Sequence, residues 1–287
     1  MFYVELLIAG LVQGAMYAMM ALGLTLIYGL LRILHIAHAA VFTLGGYVGV
    51  LAANSGLPLG AAAALGVLVA AAAGPLVYGT VYRPLLDKPP YVALIASIGL
   101  LIAMEDGFRL LFGPYGLSFA ENPWFVTGPD LGGIFLNWVQ IALGLSAVLA
   151  IAGLGLFAVG SRAGVAWRAT VDDPEMAMSF GVSPERVRLL AFALASALAG
   201  LAGFLVGLLN NLIEPGMGNI TSYKGLAIVV LGGLGNVPGT LWASLLLGVA
   251  ESFGTIYLDK ILDRDAIAFF ILVAVLMWRP QGLARGR

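Results

Sequence analysis

GLTLIYGLLRILHIAHAAVFTLGGYVG, residues 23–49, is an apolar half-segment, a polar break from Arg32 to His38, and then a helix of small residues. The apolar part continues a stretch that starts at residue 4, and 4–28 is long enough to cross a bilayer, which takes about 20 mostly apolar residues. The piece after the break, 37–53, is short for a span. Backbone that breaks at membrane depth is tolerated only where protein buries it or where it lines a cavity. This stretch therefore describes helices that pack on one another in lipid.

The same signal repeats along the chain. Apolar segments at 60–80, 91–111, 138–159, 188–209, 238–257 and 266–278 bring the expected number of membrane helices to about eight. The piece 224–236 is too short to cross alone and carries Gly232, Gly233 and Gly235, so it reads as half a helix that enters and stops. Hydrophobic residues make up 61% of the 287 and charged residues 10%, against about 45–50% and about 25% in soluble domains. The expected fold class is an all-α polytopic membrane protein, residues 1–287 forming a single membrane domain. The 39 glycines suit helices that approach closely through small residues. A net charge of −1 suggests no nucleic-acid partner, and the absence of Cys excludes disulfides and thiolate metal sites. The first apolar block lacks a basic leader and reads as a retained span.

Lys and Arg in the short loops set the orientation. Arg32, Arg83, Lys88, Arg162, Arg168, Arg186, Arg188, Arg279, Arg285 and Arg287 collect on one side, and Arg109, Lys224, Lys260 and Arg264 on the other. The count places 161–187 and the C-terminus in the cytoplasm, and the loop 113–137 outside with Trp124 and Trp138 as interfacial anchors. Arg279 and Arg285 anchor the tail at the inner headgroups. An internal repeat of inverted sense is also expected, because interrupted helices recur in transporter halves. The rhythm of 23–49 resembles GLAIVVLGGLGNVPGTLWASLLLGV, which begins at Gly225.

The segment SRAGVAWRATVDDPEMAMSFGVSPERVR, from Ser161, is a charged island in this apolar chain, with four Arg and four acids. Asp172-Asp173-Pro174-Glu175 reads as a helix N-terminus, with either Asp as cap and Pro at the first helical position. The short helix Glu175–Phe180 ends at Gly181, a residue suited to a left-handed turn. Ser183-Pro184-Glu185 starts a second helix that runs into the next span. Met176, Met178 and Phe180 would offer soft apolar surface to a groove on a partner, or the island is a solvated loop whose charges fix topology.

Several motifs give the chain a family resemblance. Glu175-Met176-Ala177-x-x-x-Gly181 is similar to the EAA-type loop of bacterial ABC importer permeases. Arg162-x-Gly164-x-x-x-Arg168-Ala169-x-x-x-Asp173, followed by Gly181-Val182 and Arg186, resembles the cytoplasmic loop of branched-chain amino acid permeases of the LivH/LivM type. Gly14-Ala15-x-Tyr17-Ala18-x-x-Ala21-Leu22-Gly23-Leu24, Ile36-Ala37-His38-Ala39, Tyr82-Arg83-Pro84-Leu85, Leu198-Ala199-Gly200-Leu201-Ala202-Gly203, Leu231-Gly232-Gly233-Leu234-Gly235-Asn236-x-x-Gly239 and Arg279-Pro280-Gln281-Gly282-Leu283 extend the likeness over residues 5–284, closer to LivH than to LivM. The chain departs from the pattern at Ala39, where the family often has Gly, and at Met176, which replaces the middle Ala.

The resemblance implies a permease paired with a second, LivM-like chain or a second copy of itself. Two ABC ATPases would sit below and use the ATP and magnesium, this chain holding no cofactor. An extracytoplasmic binding protein would deliver a hydrophobic amino acid from above, and the same architecture also serves urea and short amides. Glu175, Ala177 and Gly181 would form the coupling helix, positioned by Arg168 and Asp173. Gln13, His38, Asn210 and Asn236 are uncharged polar groups near breaks or span ends, suited to line a route or to satisfy local backbone. The His35–His38 pair lacks the company a metal site needs. Glu105 and Arg109 have ion-pair spacing on one helix. Glu251 stands alone in a span and is a functional candidate by default, or faces a partner chain or snorkels outward. A secondary transporter would use Glu251 and the Glu105–Asp106 pair as ion sites. No catalytic constellation points to an enzyme.

Overall fold

The computed structural model describes residues 2–130, 135–258 and 264–279. Lys260, Arg285, Arg287 and the tail motif after Arg279 lie outside these residues. The helices are α1 (Phe2–Leu31), α2 (His38–Asn54), α3 (Leu59–Val77), α4 (Pro90–Phe112), α5 (Pro123–Val126), α6 (Trp138–Gly160), α7 (Arg162–Asp172), α8 (Pro174–Ser179), α9 (Pro184–Asn210), α10 (Met217–Gly232), α11 (Val237–Leu258) and α12 (Arg264–Trp278). A π turn at Tyr78–Tyr82 and a 3-10 turn at Arg83–Leu85 prolong α3. Among the described residues, six helices are long and apolar enough to cross a membrane: α1, α3 with its extension, α4, α6, α9 and α11. Of the eight spans expected, α2 and α12 come out shorter, at 17 and 15 residues. The expected half-helix at 224–236 starts earlier, at Met217, and gives the 16 residues of α10.

Two ends of the bundle are defined by contacts. At one, Gly29 of α1 faces Trp167 and Val171 of α7, and Gly235, in the turn between α10 and α11, lies against Gly29. Arg83 pairs with Glu185 there at 3.0 Å, tying α3 to the start of α9. At the other end the Asn54 Nδ2 donates to the Ser118 carbonyl at 2.9 Å. The Leu117 and Ile213 backbones exchange bonds of 2.9 and 2.8 Å, and Ser252 Oγ donates to the Leu6 carbonyl. The N-terminal part of α1 therefore shares an end with residues 113–130, opposite the island.

The inverted repeat is present, but its pairing differs from the one the sequence rhythm suggested. Segments 23–49 and 225–249 traverse the bundle in the same sense. The inverted pair is α1–α4 with α9–α12. In each half a long helix ends at a residue in the left-handed region, Arg32 (φ 53°) or Asn211 (φ 52°). A six-residue connector and a short helix of 17 or 16 residues follow. α1 packs along α11 as α9 packs along α3, and α2 meets α9 as α10 meets α1. α1 and α9 pack on each other and are the most buried of the six spans. Small residues allow the tightest approach: a Cβ on Gly45 of α2 would stand 2.3 Å from the Gly200 Cα of α9. In lipid, such packing replaces the hydrophobic drive that holds soluble bundles together.

Candidate functional site

The island folds as two capped helices. Ser161 Oγ accepts the Gly164 N–H at 2.8 Å and starts α7. Of the two aspartates, Asp173 is the cap of α8: its Oδ1 accepts from Glu175 N at 3.0 Å and Met176 N at 2.9 Å. Pro174 has no N–H to satisfy and suits the first helical position. At the far end Gly181 N bonds to Met178 O and Val182 N to Ala177 O, with Gly181 at φ +82°. Nothing lies within 4 Å of where a Gly181 Cβ would stand. The backbone angle, not space, selects glycine there. Ala177 is buried, whereas Met176, Met178 and Phe180 are exposed at 57%, 54% and 81%. The helix is thus anchored through Ala177 and turns its apolar side chains outward.

Arg168 stands on α7. It lines, with Tyr28, Arg32, Trp167, Asn236 and Trp242, a groove of about 1240 Å³ between α7 and the start of α11. Asn236 borders the same groove and is committed to local backbone: its Oδ1 accepts the Gly239 N–H at 3.0 Å and begins α11.

The other candidates for a route separate. His38 is fully buried, its ring against Gly23. His35 beside it places Nδ1 2.6 Å from the Tyr82 hydroxyl, and Ser97 Oγ accepts the Ala37 N–H at 2.9 Å. The His35–Tyr82 and Ala37–Ser97 bonds hold the α1–α2 break. Asn210 ends α9 exposed at the loop end, and its neighbour Asn211 accepts from Asn122 Nδ2 at 3.2 Å. Glu105 and Asp106 both bind Arg109 as the spacing predicts, and Glu105 also accepts from Asn219 Nδ2 at 2.8 Å.

Glu251 is not alone. Lys224 Nζ lies 3.0 Å from its Oε1 and 3.1 Å from its Oε2, with both side chains buried. The Tyr17 hydroxyl donates to Glu251 Oε2 at 2.7 Å, and accepts from Lys224 Nζ and Gln13 Nε2 at 2.9 Å each. The positive-inside count had assigned Lys224 to an outer loop. It is instead the eighth residue of α10, inside the bundle. Lys224 and Tyr17 are the functional candidates that sequence reasoning missed. A lone Lys and a lone Glu on successive apolar segments was the available signal, since charges in hydrocarbon pair with one another.

Residues 6–277 match the family model described as branched-chain amino acid transport system / permease component. The chain is 31% identical to the high-affinity branched-chain amino acid transport system permease protein BraD of Pseudomonas aeruginosa, over 98% of this chain and 95% of that protein. It is 30% identical to the LivH permease of Escherichia coli K12, over 99% and 96%. LivM of the same strain is 29% identical, over 93% of this chain and 67% of that one. Among solved structures, an inward-facing metal-chelate type ABC transporter superposes with a TM-score of 0.51 at 16% identity, over 96% of this chain and 87% of that one, which speaks to fold alone. With a match over nearly its whole length, this chain belongs to the branched-chain amino acid transport system permease family.

Proposed function

We propose that this chain is the membrane-spanning permease subunit of an ABC importer for branched-chain and related hydrophobic amino acids. The observation that carries the reading is α8. A six-residue helix capped at both ends, with Met176, Met178 and Phe180 facing outward, is built to seat in a groove on another protein. Glu175, Ala177 and Gly181 form this coupling helix, and Asp173 positions it. Arg168 borders the neighbouring groove, where an ATPase surface would meet it. The partners are two ABC ATPases, a LivM-like permease or a second copy of this chain, and an extracytoplasmic binding protein.

The names of the relatives favour a branched-chain cargo over urea or short amides. An ion-coupled mechanism loses its best residue, because Glu251 is neutralised by Lys224. The charge count supports a plasma-membrane protein with the island and C-terminus cytoplasmic. Removing Lys224, which lies within α10, changes the ten against four of the sequence to ten against three. Gln13 and Glu251, which meet at Tyr17, remain the route candidates that belong to one cluster.

The test is mass spectrometry of proteins that co-purify with the tagged chain from native membranes, followed by uptake of labelled leucine into proteoliposomes. Two ATPases and a permease partner, with uptake that needs ATP, are expected. Recovery of the chain alone, with uptake driven by an ion gradient, overturns the proposal.

A further inference from the structure

The groove beside Arg168 holds two cations and one acid. Its walls are the end of α1, one face of α7 and the first turns of α11. Arg32 and Arg168 line it together with Asp172, so the lining carries one positive charge in excess. Among the described residues no ion pair takes up either guanidinium. Arg32 is also a costly residue for its position. It stands at φ 53°, where the corresponding turn of the other half has Asn211, and arginine has no local bond to ease that backbone. Strain observed in this way points to a use for the side chain, and what Arg32 brings to the groove is its charge.

The groove lies at the edge of the membrane. α1 and α11 are both long and apolar enough to cross a bilayer, and their ends at the island side make two of the walls. Trp242 is the sixth residue of α11, about 8 Å along the helix from its start, and it is 73% exposed. Leu246, one turn deeper on the same face, is half-exposed. The groove thus runs on into an apolar stripe, with cations at headgroup level, an indole at the interface and a leucine below it. Its volume of about 1240 Å³ exceeds the roughly 300–1,000 Å³ of a pocket for a drug-sized ligand. A small soluble anion would leave most of it empty. Met176, Met178 and Phe180, the side chains that α8 offers to an ATPase, do not line it. An ATPase seated on α8 would meet the groove at its Asp172 end and leave the part between Arg32 and Trp242 to be filled from the membrane.

We propose that this groove binds an anionic phospholipid. The phosphodiester sits between Arg32 and Arg168, the hydroxyls of the headgroup turn to Asp172, and an acyl chain lies along Trp242 and Leu246. Guanidinium groups pair with phosphate in two parallel hydrogen bonds, and basic pockets between membrane helices on the cytoplasmic side hold anionic headgroups. The one charge in excess matches phosphatidylglycerol, which bears a single negative charge, rather than phosphatidylcholine, whose net charge is zero. The leaflet that supplies the lipid follows from the orientation proposed above, whereas the site itself depends neither on the cargo nor on the ATPases.

The test is native mass spectrometry of the tagged chain with the partners it retains, delipidated in detergent. It is titrated with phosphatidylglycerol or with phosphatidylcholine of the same acyl chains. Phosphatidylglycerol is expected to bind about tenfold more tightly. R32N/R168Q should reduce its affinity to that of phosphatidylcholine, with asparagine chosen at 32 because it accepts the left-handed backbone. R168Q alone, on an exposed face of α7, should lose about threefold. W242A should weaken both lipids and keep the preference between them. R162Q/R186Q, which removes two island charges that do not line the groove, should bind as the parent does. Equal affinity of the parent for the two lipids overturns the proposal, and so does an equal loss in R162Q/R186Q, which would make the effect one of diffuse charge. Displacement of the lipid by glycerol phosphate at equal concentration would make this a site for a soluble phosphate. Shedding of an ATPase by R32N/R168Q with lipid binding unchanged would make it a protein interface. Either result overturns the proposal.

Discussion

Asp173→Ala isolates the cap of α8 from everything else in the island. The helix has six residues, Pro174–Ser179, and its free donors at the first turn are few. Pro174 contributes none, Glu175 N and Met176 N both end on Asp173 Oδ1, and Ala177 N ends on the Asp173 carbonyl. The alanine variant keeps the carbonyl bond and loses the two side-chain bonds. Losing an N-cap costs about 1 kcal/mol, and up to about 2 where the cap does most. A loss of 1 kcal/mol is about a fivefold change in the population of the ordered helix. Little burial compensates, since Ala177 is the buried residue of the helix and Met176, Met178 and Phe180 are exposed. Asp173→Asn keeps the acceptor and discards the charge, which at an exposed helix N-terminus is worth only about 0.3–1 kcal/mol. The assay is the ATP hydrolysed per leucine transported in proteoliposomes, together with the amount of ATPase retained on the tagged chain. The alanine variant should retain less ATPase and transport less per ATP, with the asparagine variant close to the parent. Equal behaviour of the alanine variant and the parent, or equal losses in both variants, would refute the capping argument.

Gly45→Ala places a methyl 2.3 Å from the Gly200 Cα and should lower the thermal midpoint in detergent, at a cost of about 1–3 kcal/mol for an overpacked contact, whereas Gly99→Ala, with nothing within 4 Å, should leave it unchanged. Glu251→Gln alone leaves the buried Lys224 charge without its counter-ion and should cost about 3–5 kcal/mol, seen as a lower yield of folded protein, whereas K224M/E251L, which removes both charges, should fold in ordinary yield. Asn236→Ala frees the Gly239 N–H at the start of α11 and should cost about 1 kcal/mol in the same melt, with Asn236→Asp close to neutral.

The spans and the island were legible because their signals are local. An apolar run of a given length becomes a membrane helix wherever it lies, and Asp173-Pro174 followed by Gly181 marks a short helix without reference to the rest of the chain. Only the choice between Asp172 and Asp173 needed coordinates. Lys224 was not legible by the same route. A charge count treats every Lys as belonging to a loop, and Lys224 stands near the edge of the apolar run that starts at Gly225. Its seven preceding helical residues, Met217–Tyr223, mix polar and small side chains and carry no hydropathy signal. What places them inside the bundle is packing: a Gly218 Cβ would come within 2.1 Å of the Ala39 carbonyl on α2.

The repeat shows why composition misleads about symmetry. Gly-rich rhythm linked 23–49 to 225–249, but both segments run the same way through the bundle and cannot be inverted copies. Arg32 and Asn211, which do correspond, share no chemistry and no flanking motif. They share a backbone state, φ 53° and φ 52°, at the end of a long helix. Asparagine reaches that state readily because its short amide bonds locally, whereas arginine has no such help and carries a cost of about 1–2 kcal/mol. Surrounding structure must supply that cost at Arg32: its own N–H bonds to the Tyr28 carbonyl at 2.8 Å, and the chain then turns into the buried His35–Tyr82 contact. A turn required by the architecture has been filled by whichever residue its own side needs. On the island side that residue is a cation bordering the groove of Arg168, and on the loop side it is an amide held by Asn122. The two halves therefore keep their geometry in common and divide their chemistry.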